Sequence, residues 1–475
     1  MASKVYSSEE VGVHHLENDA WIVVNGVVWD VTGFAKKHPG GRDIIEAHWG
    51  KDGSEAYNEI HSPGLIAKHF GADRRLGVIQ TSAEQPATTT PQNALRPAPR
   101  RPNVSSFINL AQFEEVAARY VTSRTWGYVH GATEDGWTNA ANAEWFRRIL
   151  FRPRILRQVE QVDLSTTVLG RKYDLPIFCA PTSSVKLSHP DGEVAIAKAS
   201  VAHGVATIVP SLSSYTIEEI MEAIPQGYPF FFQLYFRKDR EGLERLLDVV
   251  CSFKPQAILV TVDLPVVSKR EDKTSQAPSP NQSQENSEAM ERTLAPPPAS
   301  DTLDANLNWD DIPWLKKRTG VPIILKGIQS AADARRAYEY GCAGIYLSNH
   351  GGRALDTAPT SIHTLLEIHA TCPEILDKME VFVDGGVRRG SDVLKALCLG
   401  ASAVFVGRPF LYALACGGEE GMKRAFESTF DIIFLKIHCA NHIHSTEGGT
   451  KAVYAIAWHY KPKSSSSRPR EYCRY

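Results

Sequence analysis

The stretch Ile345-Tyr346-Leu347-Ser348-Asn349-His350-Gly351-Gly352-Arg353 changes from apolar to polar within a few residues. The apolar start is typical of a short buried strand, and the polar residues with two glycines indicate a loop that leaves the strand. His350 can exchange a proton near neutral pH, and Arg353 can bind a carboxylate through two hydrogen bonds. The stretch therefore predicts a strand end equipped for acid–base chemistry. The alternative is an ordinary tight turn with a solvated His and Arg.

Seven further apolar runs of similar length accompany this one. The eight runs are Pro176–Pro181, Ala206–Pro210, Phe230–Tyr235, Ala257–Asp263, Pro322–Gly327, Gly344–Ser348, Val381–Gly386 and Ala403–Arg408. Amphipathic segments of helical length separate them, namely Glu193–His203, Thr216–Ala223, Leu243–Cys251 and Ser330–Tyr340. This alternation predicts an α/β fold, a TIM (β/α)8 barrel. An open doubly wound sheet is the alternative, but it does not need eight units.

Most of these runs end in a polar or ionisable residue. The residues are Thr182, Gln233, Tyr235, Thr261, Asp263, Lys326, Asn349, His350, Asp384 and Arg408. In a barrel the carboxyl ends of the strands meet on one face, where active sites lie. Structural roles would explain such residues singly, but not a ring of them, so we expect a site at this face.

Two glycine-bearing strand ends predict a phosphate site. Asp384-Gly385-Gly386-Val387-Arg388 follows the seventh run, and Gly407-Arg408 follows the eighth. Loops at these two positions of a barrel commonly bind phosphate. Glycine lets backbone N–H groups approach the anion, and arginine supplies positive charge.

The first eighty residues have a different pattern. Asn25-Gly26 joins two short strand candidates, as expected for a hairpin. His38 precedes a Pro-Gly-Gly turn, and His61 precedes Ser-Pro-Gly. Two histidines on separate loops can ligate a haem iron from both sides, which favours electron transfer. The alternative is two surface histidines beside turns.

Composition narrows the class of protein. The chain has 475 residues, 43% hydrophobic and 22% charged, with 52 basic and 54 acidic side chains. This is typical of a globular protein, and the near balance gives no reason to expect nucleic acid or a membrane surface as partner. No bilayer-spanning run, secretory signal or transit peptide is recognisable, and the eight cysteines show no disulfide or zinc spacing. We therefore expect a cytoplasmic enzyme with reduced thiols.

The N-terminal segment resembles the cytochrome b5-type haem domain. The resemblance covers Tyr6 to Gln80 and includes the Trp-Asp-Val-Thr-Gly-Phe run at 29–34. It implies a small α+β haem domain over residues 1–80, with haem b and with His38 and His61 as the axial metal ligands. His14, His15, His48 and His69 match no functional position of that family. A Pro-rich linker over residues 81–105 would tether this module to the barrel.

The barrel resembles the FMN-dependent L-2-hydroxy acid dehydrogenase/oxidase family, mainly through Ser348-Asn349-His350-Gly351-Gly352-Arg353. The fused haem module is similar to the flavocytochrome b2-like group, which implies FMN and haem b as cofactors. The implied reaction is oxidation of L-lactate to pyruvate with cytochrome c as acceptor. The alternatives are another 2-hydroxy acid such as glycolate or mandelate, oxygen as acceptor, or a haem electron carrier with an impaired barrel.

The resemblance also implies residue roles. His350 is the expected base, with Asp263 stabilising its imidazolium form. Arg353 and Tyr128 would bind the substrate carboxylate, and Tyr235 the hydroxyl or carboxylate. Lys326 would lie against the flavin, and Arg270 near the substrate. The residues expected to contact FMN are Ala180, Pro181, Thr182, Ser183, Gln233, Thr261, Lys326, Asp384, Gly385, Gly386, Val387, Arg388, Gly407 and Arg408. Hydride and carbanion routes both use the same base.

The chain departs from the family pattern in four places. The Tyr128 segment is one residue shorter, Pro210 replaces a serine, and Leu212 replaces a bulky aromatic residue and favours a lactate-type site. The barrel domain is expected over residues 106–430, with a mobile insertion at 271–308 and a divergent tail at 431–475. An altered reading frame or unspliced stretch explains this tail better than a metal site at His438, His442 and His444.

The family is typically tetrameric, so a homotetramer is an expectation. By the same analogy, the mitochondrial intermembrane space is an alternative compartment to the cytoplasm.

Overall fold

The computed structural model describes residues 4–38, 41–80, 103–151, 163–266, 268 and 303–440, with side chains as far as residue 429. Arg270, most of the predicted linker and most of the predicted insertion lie outside these residues. So do His442 and His444 and the side chain of His438. Two folded units are present, one on each side of the linker.

The N-terminal unit is a small mixed sheet with short helices. Its strands are β1 (Val5–Tyr6), β2 (His15–Leu16), β3 (Asp19–Val24), β4 (Val27–Asp30) and β5 (Arg75–Ile79), in the order β1-β5-β4-β3-β2. Its helices are α1 (Ser8–Gly12), α2 (Arg42–Glu46), α3 (Ser54–Ile60) and α4 (Leu65–Phe70). The predicted Asn25-Gly26 hairpin is confirmed, with both residues at positive φ.

Three helices precede the barrel: α5 (Leu110–Tyr120), α6 (Ser123–His130) and α7 (Trp137–Arg147). A short antiparallel pair follows them, β6 (Thr166–Val168) and β7 (Arg171–Tyr173). The barrel strands are β8 (Ile177–Cys179), β9 (Thr207–Pro210), β10 (Phe230–Leu234), β11 (Ala257–Thr261), β12 (Ile323–Ile328), β13 (Gly344–Leu347), β14 (Glu380–Val383) and β15 (Ala403–Val406). All eight predicted strands are confirmed.

The eight barrel strands are all parallel. They pair in the order β8-β15-β14-β13-β12-β11-β10-β9, and β8 also contacts β9, so the sheet nearly closes on itself. The barrel helices are α8 (Gly192–Ala202), α9 (Ile217–Glu222), α10 (Arg240–Ser252), α11 (Asp311–Thr319), α12 (Ala331–Glu339), α13 (Ser361–Thr371), α14 (Glu374–Lys378), α15 (Gly390–Cys398) and α16 (Arg408–Ala440). The (β/α)8 prediction is therefore confirmed.

Aromatic rings fill the barrel interior. Phe178, Phe231, Phe382 and Phe405 are all fully buried. Their ring centres lie 5.1–6.2 Å apart in edge-on or tilted pairs. The barrel is thus a packed core rather than a pore, and its functional groups are confined to the strand ends.

The last helix, α16, is bent at Gly417 and Gly418 and packs against α5 and α8. Met422, Ala425 and Phe426 are buried beyond the bend. The predicted domain boundary at residue 430 falls inside α16. The helix continues to residue 440 because the segment 431–440 contains no glycine or proline that would end it.

None of the described helices is long and apolar enough to cross a bilayer. All six cysteines whose side chains are described carry free thiols.

We expect Phe231→Ala to lower the free energy of unfolding of the barrel by about 3–5 kcal/mol, because it leaves a cavity among the interior rings. Urea denaturation followed by circular dichroism measures this loss. Val249→Ala on α10 is the control, since Val249 is 40% exposed. Equal shifts in the two variants would contradict the assigned barrel interior.

Candidate active site

The polar strand ends meet at one mouth of the barrel, as predicted. Gln233, Thr261, Lys326 and Asp384 are all less than a tenth exposed. The Gln233 side-chain amide donates to Thr261 Oγ1 over 2.8 Å. Four buried polar side chains on four strands are costly unless they serve a ligand or one another.

His350 forms a pair with the buried Asp263 at this mouth. The distance from His350 Nδ1 to Asp263 Oδ1 is 2.9 Å, and the Asp263 side chain is fully buried. Burial on its own raises the pKa of the Asp263 carboxyl, but the attraction of His350 and Lys326 outweighs it and holds the pKa below its ordinary value. Asp263 is therefore an anion at neutral pH, placed to favour a positive charge on His350.

The other ring nitrogen of His350 faces Tyr235. His350 Nε2 lies 3.4 Å from the Tyr235 hydroxyl oxygen. His350 has a positive φ of 58°, a backbone conformation that non-glycine residues adopt at strained or functional positions. The ring is thus held by Asp263 on one side and presents Nε2 to Tyr235 on the other.

Lys326 supplies a buried positive charge beside this pair. Its Nζ donates to Ser348 Oγ over 3.1 Å and lies 3.7 Å from Asp384 Oδ2. Only 5% of the side chain is exposed. A buried ammonium needs anionic neighbours to offset its loss of hydration, and Asp384 is one of them.

Arg353 and Tyr128 lie together on the rim. The guanidinium carbon of Arg353 is 5.5 Å from the centre of the Tyr128 ring. Arg353 Nη1 donates to the backbone carbonyls of Val129 and Gly131, at 3.1 and 3.0 Å. The Tyr128 hydroxyl donates to the Ser183 carbonyl over 3.0 Å. The structure therefore brings these two predicted substrate residues together despite the shortened Tyr128 segment.

The predicted phosphate loop lies against helix α7. Gly385 and Gly386 both have positive φ, and a side chain at Gly386 would overlap the backbone of Asn142. Arg408 hydrogen-bonds to Asn139 Oδ1 and to the Gly351 carbonyl, which ties the loop after β15 to the His350 loop. This region has the glycines and the cation expected of an anion cradle.

The remaining predicted cofactor residues line the same mouth. Ala180 to Ser183 follow β8, and Gly407 approaches Ala180 closely. Val387 is buried beside the glycine loop, and Arg388 follows it, 3.9 Å from Glu114. Each of these residues lies at a strand end or in the loop after it.

Sequence reasoning missed one buried pair. Asn142 of α7 and Asn349 exchange two side-chain hydrogen bonds, at 2.9 and 2.8 Å, and both are about 1% exposed. Asn349 also accepts from the backbone N–H of Gly352. This pair fixes the His350 loop against the helix that supports Gly386. Nothing in the sequence around Asn142 signals the contact, because its partner is about 200 residues away.

The N-terminal histidines face each other across a gap. The ring centres of His38 and His61 are 6.1 Å apart. Two metal–nitrogen bonds of about 2 Å, together with the two ring radii, require roughly 6 Å. His38 Nδ1 contacts the Gly41 carbonyl, which leaves Nε2 for a metal. Burial lowers the pKa of both rings, to about 4 for His61. Neutral imidazole is the form that ligates metal.

The other N-terminal histidines have packing roles where the structure shows their contacts. His14 stacks on Trp21 with 3.4 Å between ring centres, and His69 packs on Phe34. Within the described residues, no group of three or more His, Cys, Asp or Glu side chains converges as a metal site.

Two family models match this chain. Residues 117–431 match the family model described as FMN-dependent dehydrogenase, and residues 7–80 match the cytochrome b5-like heme/steroid binding domain. The chain belongs to the FMN-dependent dehydrogenase family. It is therefore an FMN-dependent oxidoreductase that acts on CH–OH, and its cytochrome b5-like domain indicates haem b.

Individual proteins of known name align with most of this chain. L-lactate dehydrogenase (cytochrome) of Saccharomyces cerevisiae is 37% identical over 92% of this chain and 77% of its own length. Glycolate oxidase 3 of Arabidopsis thaliana is 41% identical over 68% of this chain and 89% of its own. A solved mutant flavocytochrome b2 with pyruvate bound superposes with a TM-score of 0.65 at 37% identity, over 72% of this chain and 84% of that one.

The residues present fit both cofactors. Lys326 and Arg408 provide positive charge for a phosphate-bearing flavin. Beside them, the glycine cradle at Gly385 and Gly386 provides backbone access. His38 and His61, whose ring centres lie 6.1 Å apart, would hold the iron of haem b between them. When bound, FMN supplies the two-electron acceptor and haem b supplies a one-electron carrier.

We expect Gly386→Ala to reduce FMN retention strongly and to lower the Tm, since the new Cβ overlaps the Asn142 backbone. Flavin absorbance per chain and a thermal scan measure the effect. Gly170→Ala is the matched control, because Gly170 also has positive φ but has open space around it. A Gly386→Ala protein as stable and as flavin-rich as the control would contradict the close approach to α7.

We expect His61→Ala to remove haem while FMN remains, because only one axial ligand is left. The ratio of haem to flavin absorbance in the purified protein measures it. His15→Ala, at an exposed position in β2, is expected to keep both. Full haem content in His61→Ala would refute the assignment of this ligand.

Proposed function

We propose that the protein oxidises L-lactate to pyruvate, with electrons passing through FMN and haem b to cytochrome c. The relatives support this proposal, because two that align with 92% and 90% of the chain are both named L-lactate dehydrogenase (cytochrome). The pairing of His350 with buried Asp263, opposite Tyr235, is the structural observation that carries it.

His350 serves as the base in this proposal. Its Nδ1 is held by Asp263, so Nε2 is the nitrogen that takes a proton from the substrate as C2 is oxidised. Asp263 remains anionic and stabilises the imidazolium that forms. Hydride transfer and carbanion formation both require a base at this position.

Arg353 and Tyr128 hold the substrate in this scheme. The face of the Arg353 guanidinium contacts Tyr128, and Nη1 is fixed by two carbonyls, so the side chain is preorganised on the rim. Tyr235 would bond the substrate hydroxyl or carboxylate beside Nε2. The substrate role of Arg270 stays a prediction, because this residue lies outside the described residues.

Lys326 and the residues around it hold the flavin in this scheme. The buried ammonium would lie against the flavin ring and favour negative charge there. Gln233 and Thr261, which share a hydrogen bond, would contact the same ring system. Residues 385–388 and Arg408 would bind the phosphate.

The second candidate is another L-2-hydroxy acid or another acceptor. Its support is the 41% identity to glycolate oxidase 3 and the likeness to a solved mandelate oxidase, with a TM-score of 0.61 at 33% identity. Anaerobic mixing with L-lactate, D-lactate, glycolate and mandelate, followed at the flavin band, separates the substrates. Peroxide and cytochrome c assays separate the acceptors.

A haem electron carrier with an impaired barrel is the candidate from a different class. The family match over residues 117–431 includes all eight barrel strands and therefore favours the enzyme over this alternative. Flavin content decides between the two classes. Purified protein that keeps its haem spectrum but binds no FMN would favour the carrier.

The assembly and compartment are also proposals. By family analogy, we propose a homotetramer, which light scattering of the purified holoprotein tests. Cell fractionation tests the predicted cytoplasmic location against the mitochondrial intermembrane space.

We expect His350→Gln to lower kcat with L-lactate by roughly 10²–10⁴-fold, because the base is lost while the binding groups remain. Anaerobic flavin reduction measures this loss, and the flavin and haem spectra of the oxidised protein are expected to stay unchanged. His363→Gln on α13 is the control, since His363 packs at a tilt against Trp145 of α7. Turnover of His350→Gln near the wild-type rate would remove His350 as the base.

A further inference from the structure

The two folded units contact each other through a small polar surface. The surface consists of residues 58–68 of the N-terminal unit and, on the barrel, Lys186 with Ser214–Glu219; we call it the docking surface. Ser62 lies at its centre and is fully buried. The Ser62 N–H donates to the Ser214 carbonyl over 2.9 Å, and Ser62 Oγ donates to Glu219 over 2.7 Å.

Lys186 makes the contact that involves a haem ligand directly. Its Nζ donates to the carbonyls of Asn58 and His61, at 2.9 and 2.8 Å. Both carbonyls lie at the C-terminal end of α3, where helix carbonyls have no partner within the helix. A lysine from the barrel therefore caps the helix whose C-cap residue, His61, is the proposed iron ligand, and its positive charge suits the negative end of the helix.

The same lysine is joined to the flavin side of the barrel by a short backbone segment. It lies three residues after Ser183, within the loop that begins at the end of β8. The Ser183 carbonyl accepts the hydrogen bond from Tyr128, and the Lys186 N–H bonds to Ser214 Oγ. A shift at Lys186 would thus move the predicted flavin contacts and the haem ligand relative to each other.

The barrel side of the docking surface is rigid at this point. Glu193 at the start of α8 is buried, and its Oε1 accepts from the Ser214 N–H over 2.7 Å. Thr216 and Glu219 cap α9 reciprocally. The loop that receives Ser62 is therefore held by hydrogen bonds within the barrel itself.

The other charged contacts across the docking surface are weaker candidates for holding the two units together. Lys68 pairs with Glu218 at 2.9 Å and Arg124 with Glu59 at 3.7 Å, but all four side chains are about a third or more exposed. Exposed ion pairs contribute little because water and salt screen them. Lys186, by contrast, makes two charge-assisted bonds to fixed backbone oxygens.

We propose that Lys186 is the positioning residue that docks the haem-binding unit on the barrel in the arrangement for electron transfer from flavin to haem. This inference rests on the proposed function and adds a role that the catalytic residues do not have. Lys186 acts through the carbonyl of His61 and touches neither substrate nor reacting atoms. Loss of Lys186 is expected to slow electron transfer from flavin to haem without slowing reduction of the flavin by the substrate.

The test compares full-length holoprotein carrying Lys186→Met, Lys186→Arg or the control Lys198→Met, whose lysine is exposed on α8. Stopped-flow mixing with L-lactate gives flavin and haem reduction rates separately. Hydrogen exchange of the peptide that contains Ser62, measured by mass spectrometry without substrate, reports docking independently of turnover.

For Lys186→Met we expect flavin reduction within twofold of wild type, haem reduction slowed at least tenfold, and faster exchange around Ser62. Lys186→Arg is expected to keep haem reduction and the exchange around Ser62 close to their wild-type rates. Lys198→Met is expected to match wild type in all three measurements. Unchanged haem reduction and unchanged exchange in Lys186→Met would overturn the proposal. So would an equal loss of flavin and haem reduction, which would place Lys186 in the flavin site. If wild-type flavin is not reduced by L-lactate, the proposed function fails, and the exchange measurement alone then decides the docking role.

Discussion

The hydrogen bond between His350 Nδ1 and Asp263 Oδ1 is the interaction on which the site depends. Asp263 is fully buried at the end of β11, where an isolated carboxylate would be costly. His350 and Lys326 offset that cost, and the pKa of Asp263 stays low as a result. The pair in turn fixes which nitrogen of His350 is available. The barrel makes this possible because parallel strands from distant parts of the chain end at one mouth.

Much of the barrel could be predicted from sequence because its strands are short apolar runs bounded by glycine, proline or polar residues. All eight observed strands overlap the predicted runs, and the polar residues at their ends do meet. Three groups of residues that were predicted to belong to one site lie together: His350 with Asp263 and Tyr235, Arg353 with Tyr128, and Lys326 with Asp384. The role of each in catalysis stays a prediction.

What sequence could not predict depends on contacts without a local pattern. The Asn142–Asn349 pair joins two elements far apart in the chain, and no periodicity links them. The positive φ of His350 follows from tertiary packing rather than from residue type. The docking surface was also missed, because a polar surface that binds another polar surface has the same composition as one that faces water.

Two sites that each fit a redox cofactor are joined through a contact at the C-terminal end of α3. The central claim is that a 2-hydroxy acid reduces the flavin site first and the haem site second. A single anaerobic mixing experiment with L-lactate, followed at the flavin and haem bands together, tests this most directly. The account predicts flavin reduction first, haem reduction after it, and pyruvate formed in proportion to the electrons gained. Haem reduction that precedes flavin reduction, or reduction without pyruvate, would contradict it.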